Sequence, residues 1–136
     1  YHVTGDGIRT ALLILKIWAE ANYPEFDQFI DNFPKFPQII ANAIVDRKPP
    51  LDSIPGLAEQ QDRLKLTLPG LERLDIRYSG TESMLRVMME AKPQHSENDL
   101  ACEAIKLCRL VQSAAGTNDG TIEIINISRG GIIPIS

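Results

Sequence analysis

Apolar and polar residues alternate along two stretches on either side of a short polar turn. Leu74, Ile76 and Tyr78 fall on one side of an extended chain, and Arg73, Asp75 and Arg77 on the other. Past the turn, Leu85, Val87 and Met89 share a side, opposed to Arg86, Met88 and Glu90. A period of two predicts half-buried strands, here joined as a hairpin. With the apolar faces aligned, one permitted register sets Arg77 opposite Arg86 and Arg73 opposite Glu90. The second pair is complementary. The first is not, and like charges facing one another across a sheet are destabilising.

The rest of the chain supplies helices and two more strands. Residues 7 to about 22 read as a helix with Asp6 or Thr4 as N-cap and Pro24 as the stop. Ile8, Leu12, Leu15 and Ala19 share one face, but Leu13, Ile14, Ile17 and Trp18 fill much of the remainder. A helix apolar nearly all round has to be buried on several sides, and too few residues follow to cover it and build a second core as well. A shorter helix over 24–33 carries Phe26, Phe29, Ile30 and Phe33 at helical spacing, a packing stripe. Pro34 and Pro37 then mark a linker. Ile39 to Val45 suits a strand running on toward Arg47 and Lys48, although its local pattern alone leaves a helix open. Residues 55 to about 65 follow as a helix, with Pro55 tolerated in the first turn. Ser96 opens the clearest helix: an N-cap, acidic Glu97 and Asp99 in the first turn, the stripe Leu100, Ala104, Leu107, Val111, and Gly116 at the end. Gly120 to Ile127 alternates enough for a short strand. The tail 128–136 reads either as a strand with a ragged end or as a stretch foreign to the domain. The expected fold is α+β, an antiparallel four-stranded sheet with helices packed on one face.

Composition narrows the class. In 136 residues, 43% apolar and 24% charged describe a folded globular chain rather than a disordered one. A net charge of −4 argues against a nucleic-acid partner, and makes the local group Arg73, Arg77 and Arg86 stand out. No apolar run approaches the ~20 residues a membrane helix needs. Cys102 and Cys108 fall on different sides of one helix, which excludes a bridge between them and suits a reducing cytoplasm. His95 is expected in an exposed polar turn, and neither it nor His2 has partners that suggest catalysis. Asp6 is a single carboxylate, too little for a hard cation. The chain begins at Tyr1 with neither Met nor a targeting pattern, the start expected of a piece cut from a longer protein.

Chemistry therefore concentrates at the turn. Gly80 is expected to take backbone geometry closed to other residues, leaving N–H groups free for an anion. Ser79 and Thr81 add hydroxyl donors, and the guanidinium groups of Arg77 and Arg86 grip phosphate oxygens through a planar fork. A polar hairpin with solvated arginines, or with arginines paired to Asp75, Glu82 and Glu90, fits the same residues.

Arg77-Tyr-Ser-Gly-Thr-Glu, followed by Leu85-Arg-Val-Met-Met-Glu, resembles the phosphate-binding loop in the last domain of the α-D-phosphohexomutases. Gly80 and Glu82 are most similar to the bacterial branch acting on glucosamine phosphates. Thr4-Gly-Asp-Gly-Ile-Arg-Thr-Ala-Leu resembles the helix that closes the preceding domain in that family. Together the likeness spans residues 2 to 115 or so, with Ser83 standing where the family usually has Pro and Ala91 where Gly is common. The resemblance implies terminal helices of a preceding α/β domain over 1–34, a C-terminal phosphate-binding domain over 35–116, and a short strand and tail of unassigned status over 117–136. It also implies an intramolecular phosphotransferase that moves phosphate between the 1- and 6-positions of a hexose. Arg77, Ser79, Gly80, Thr81 and Arg86 would hold the phosphate of the substrate, or inorganic phosphate. The catalytic serine and the Mg2+ loop would lie in N-terminal domains outside this chain, which by itself would bind no metal and be inactive.

Overall fold

A computed structural model describes residues 6–22, 24–31, 33 and 35–134. The chain divides into two compact units, residues 1–34 and 35–136.

In the first unit, α1 (Gly7–Glu20) is capped by Asp6, whose Oδ1 accepts the Arg9 N–H at 3.1 Å. Thr4, the alternative cap, and His2 lie outside the described residues. α2 spans Phe26–Asp31, with Phe29 its buried residue. Phe26 meets Trp18 edge-on at 5.4 Å and Phe29 meets Phe33 at 5.3 Å, so the aromatic stripe packs on itself. Trp18 donates its indole N–H to the Pro24 carbonyl at 2.8 Å. α1 itself has no buried residue, and Ile8, Leu12, Leu13, Leu15 and Ile17 are exposed.

The second unit runs β1 (Gln38–Ile44), a short 3-10 turn (Leu51–Ser53), α3 (Leu57–Thr67), β2 (Leu71–Tyr78), β3 (Met84–Ala91), α4 (Glu97–Ala115), β4 (Ile122–Asn126) and β5 (Ile132–Ile133). The sheet order is β2-β3-β1-β4-β5, and every described pair is antiparallel. This is the expected α+β architecture with five strands rather than four. The extra strand comes from the tail. Asn126 Oδ1 accepts the Arg129 N–H, Gly130 and Gly131 adopt positive φ, and the chain folds back so that Ile133 pairs with Ile124. Two residues are too few to show a period.

Alternation decides which face of the sheet is covered. Ile39, Ala41 and Ala43 of β1, Leu85, Val87 and Met89 of β3, and Ile122 and Ile124 of β4 form one buried face. They share a core with Leu100, Ala104, Leu107 and Val111 of α4 and with Leu57 and Leu64 of α3. Each Val, Leu, Ile or Met among them contributes roughly 1.5–3 kcal/mol by leaving water. Ser96 and Asp99 form a reciprocal capping box at the start of α4, and Gly116 closes it at φ 74°. Gln112 is buried beneath this helix, donating to the Ile44 carbonyl at 2.8 Å.

β1 stops at Ile44, short of Arg47 and Lys48. The chain is instead drawn aside by Asp46 N–H donating to Thr117 Oγ1 at 2.7 Å and Arg47 Nε donating to the Ala115 carbonyl at 3.1 Å. The second bond supplies an acceptor-rich helix end with a cation. His95 is half-buried, not exposed: its ring bonds the Pro69 carbonyl at 2.8 Å, which ties the turn before α4 to the one before β2.

Candidate functional site

The uncovered sheet face carries the residues of opposite phase. On β2 these are Arg73, Asp75 and Arg77, on β3 Arg86, Met88 and Glu90, and on β1 Ile40 and Asn42. The hairpin register is the one the alternation predicts, with Arg77 opposite Arg86 and Arg73 opposite Glu90. The first pair is held in place by apolar residues on the other face: Ile76 opposite Val87 and Tyr78 opposite Leu85 leave Arg77 and Arg86 no other side to occupy. Arg73 and Glu90, though opposed, do not approach within ion-pair distance among the described residues.

A groove of about 300 Å3 runs over this face, lined by Arg73, Arg77, Arg86 and Asp75 together with Asn42 and Met88. Three guanidinium groups against one carboxylate make it locally cationic in a chain of net charge −4. The arginines are not idle. Arg77 Nε lies 3.3 Å from Asp75 Oδ2, and Arg86 Nη2 donates to Glu82 Oε2 at 2.9 Å. Both pairs are substantially exposed, and exposed ion pairs contribute only about 0–1 kcal/mol. An incoming dianion can therefore displace either carboxylate at little cost.

Beyond the groove, residues 79–83 join β2 to β3. Ser79 N–H donates to the Met84 carbonyl at 2.8 Å and Met84 N–H to the Glu82 carbonyl at 2.8 Å, which closes the loop. Ser79 Oγ accepts the Glu82 N–H at 3.2 Å. The N–H groups of Gly80 and Thr81 and the Thr81 hydroxyl have no protein acceptor among the described residues. Gly80 departs from expectation, because its φ is not positive. The connection is long enough to turn without a left-handed residue there. A Cβ on Gly80 would meet nothing within 4 Å, so neither backbone conformation nor packing requires glycine at this position. With no Cβ at Gly80, the loop backbone there is open to close approach from outside the chain.

The structure thus gathers Arg77 and Arg86 on one face and places Ser79, Gly80 and Thr81 at its end. It adds a residue the sequence did not disclose. Lys48 reaches the loop from the segment after β1, donating from Nζ to the Ser79 carbonyl at 2.6 Å. Tyr78 holds the same segment, its hydroxyl donating to the Pro49 carbonyl at 2.9 Å, and burial raises the phenol above its ordinary range. Pro49 and Pro50 were the available signal for a bend there, but not for its destination. Among the described residues no three His, Cys, Asp or Glu side chains gather into a set that could hold a metal ion. No helix among them is long and apolar enough to cross a membrane.

Comparison with known proteins gives this geometry a lineage. Residues 40–107, half the chain, match the family model described as phosphoglucomutase/phosphomannomutase, C-terminal domain. That segment contains β2, the loop, β3 and most of β1. The chain is also similar to proteins named phosphoglucosamine mutase. It is 38% identical to that of Chlamydia felis (strain Fe/C-56) over 101 residues, 74% of this chain and 22% of the relative. Against that of Koribacter versatilis (strain Ellin345) it is 34% identical over 113 residues, 83% of this chain and 24% of the relative. Against that of Sorangium cellulosum (strain So ce56) it is 35% identical over 115 residues, 85% and 24% respectively. The chain thus spans less than a quarter of the length of these relatives. With the family's C-terminal domain matched over half the chain, including the β2–β3 hairpin and most of β1, the chain belongs to the phosphoglucomutase/phosphomannomutase family.

Proposed function

We propose that this chain is the substrate-phosphate-binding part of a phosphohexomutase that interconverts glucosamine 6-phosphate and glucosamine 1-phosphate. The phosphate that is not being transferred sits at the end of the sheet groove. Arg77 and Arg86 grip its oxygens from two strands, the Ser79 and Thr81 hydroxyls donate to it, and Gly80 lets it approach the backbone. Lys48 steadies the loop from behind. Holding the inert end of the substrate orients the reacting end, a contribution to catalysis made without touching the transferred group. One observation carries the reading: two guanidinium groups opposed across a hairpin, at the mouth of a loop whose glycine nothing inside the chain requires. Glucosamine as the sugar follows the names of the relatives, and glucose or mannose phosphates are the family's other substrates of the same shape. Phosphate transfer and the Mg2+ that supports it are assigned to further domains of the intact enzyme, in the cytoplasm, and residues 1–136 alone carry no mutase activity.

Titration with inorganic phosphate followed by NMR tests the site. Shifts are expected to concentrate at residues 77–86 and to vanish in Arg77→Ala. Shifts scattered over the surface, or none at millimolar phosphate, overturn the assignment in favour of a structural hairpin. In the intact enzyme Arg77→Ala is expected to raise KM and also to lower kcat, since a misplaced substrate reacts slowly. Binding without any effect on turnover would point to a non-catalytic phosphate-binding module.

A further inference from the structure

Glu82 does from inside the loop what a ligand would do from outside. Its Oε2 accepts from Arg86 Nη2 at 2.9 Å and lies 3.4 Å from Ser79 Oγ, while its own N–H donates to that hydroxyl at 3.2 Å. One carboxylate therefore engages two of the groups proposed for phosphate. On its other side Arg86 is unsatisfied. Arg86 Nε is buried without a partner, and so is Oδ1 of Asn42, the residue directly opposite it across β1 and β3. Both residues line the same groove. A buried donor and a buried acceptor on adjacent strands, left unjoined, is an arrangement folded proteins rarely keep. The two side chains occupy opposed positions on one sheet face, so the guanidinium has an acceptor of the right type on the neighbouring strand.

We infer that Arg86 has two settings, with Glu82 as an internal competitor for the anion seat and Asn42 as the positioning residue of the occupied state. In the free protein Glu82 draws the guanidinium toward the loop. A phosphate monoester or inorganic phosphate displaces that carboxylate, Arg86 Nε docks on Asn42 Oδ1, and the terminal nitrogens turn to the phosphate. The exchange is favourable in sign because a dianion with three acceptor oxygens engages both arginines, whereas Glu82 offers a single charge to one of them. This inference rests on the phosphate site proposed above.

The test is a phosphate titration of the 136-residue chain by NMR, reading both affinity and the Arg86 Nε–Hε resonance. Glu82→Gln is expected to bind phosphate at least fivefold more tightly, the effect of removing one unit charge about 4 Å from another in water, which a dianion exceeds. Glu59→Gln, the same charge change on exposed α3, is expected to leave affinity unchanged. Asn42→Ala is expected to bind several-fold more weakly and to lose the movement of the Arg86 Hε resonance that phosphate causes in the parent chain. If phosphate shifts residues 77–86 in every variant with equal affinity, or Glu59→Gln tightens binding as much as Glu82→Gln, the two-setting model is wrong and the phosphate site stands. If no variant binds phosphate, both fall.

Discussion

Replacing Arg77 with threonine separates a residue kept for binding from one kept for stability. Threonine is β-branched and suits a strand, so the change removes charge with little loss of strand propensity. Two effects on folding oppose each other. Relief of the like-charge contact with Arg86 directly across the hairpin contributes roughly 0.2–1 kcal/mol. Loss of the Arg77–Asp75 pair, whose side chains are 66% and 38% exposed, costs about 0–1 kcal/mol. The net change in stability is expected within about 0.5 kcal/mol of zero, like most exposed substitutions. Binding behaves differently, because each charge-assisted hydrogen bond to phosphate contributes about 1.5–3 kcal/mol. Its loss weakens affinity by roughly 10- to 100-fold. Thermal melts in phosphate and in chloride of matched ionic strength read both quantities. For the parent chain, phosphate at tenfold over its Kd adds about 1.4 kcal/mol, or roughly 5–10 °C in Tm for a domain of this size. Arg77→Thr should melt close to the parent in chloride and gain no more than about 0.4 kcal/mol from the same phosphate concentration. A variant that melts more than about 5 °C lower in chloride, yet gains as much from phosphate as the parent, would refute the reasoning.

Four further outcomes follow from the packing and the helix cap. Gly120→Ala should destabilise by roughly 1–3 kcal/mol in urea, because a Cβ there would lie 2.9 Å from the Ile44 carbonyl and 2.5 Å from Gln112 Nε2. Ser96→Ala removes the α4 cap and should cost about 1 kcal/mol. The hydrogen bond from the Ser96 backbone, and secondarily that from its hydroxyl, hold the Asp99 carboxyl below its ordinary 3.8. Its contribution is therefore complete above that ordinary value and fades as pH falls through the lower folded one. Asp99→Asn should flatten this acid limb in urea midpoints taken at decreasing pH. Cys102 is exposed and should alkylate in the native chain, whereas burial pushes the Cys108 thiol up to about 12 and should protect it until the chain unfolds. Equal labelling rates for the two would contradict the burial of α4.

What the sequence determined was local. The hairpin, its register and the opposition of Arg77 to Arg86 follow from alternation over fewer than twenty residues, because a slip of one position would expose Leu85, Val87 and Met89. The cap at Ser96 and the end at Gly116 are legible for the same reason, since their chemistry acts within one helical turn. Other features were settled by contacts between distant parts of the chain. β1 lies between β3 and β4, and only that placement sets Asn42 against Arg86. Lys48 reaches Ser79, and Gln112 reaches Ile44, through bonds that no periodicity records. Gly80 suggested a special backbone, but the loop turns without one, since its closure depends on where β2 and β3 are already anchored. Alternation assigns a side chain to a face; which groups meet there, and which carboxylate meets which arginine, depends on how the strands assemble.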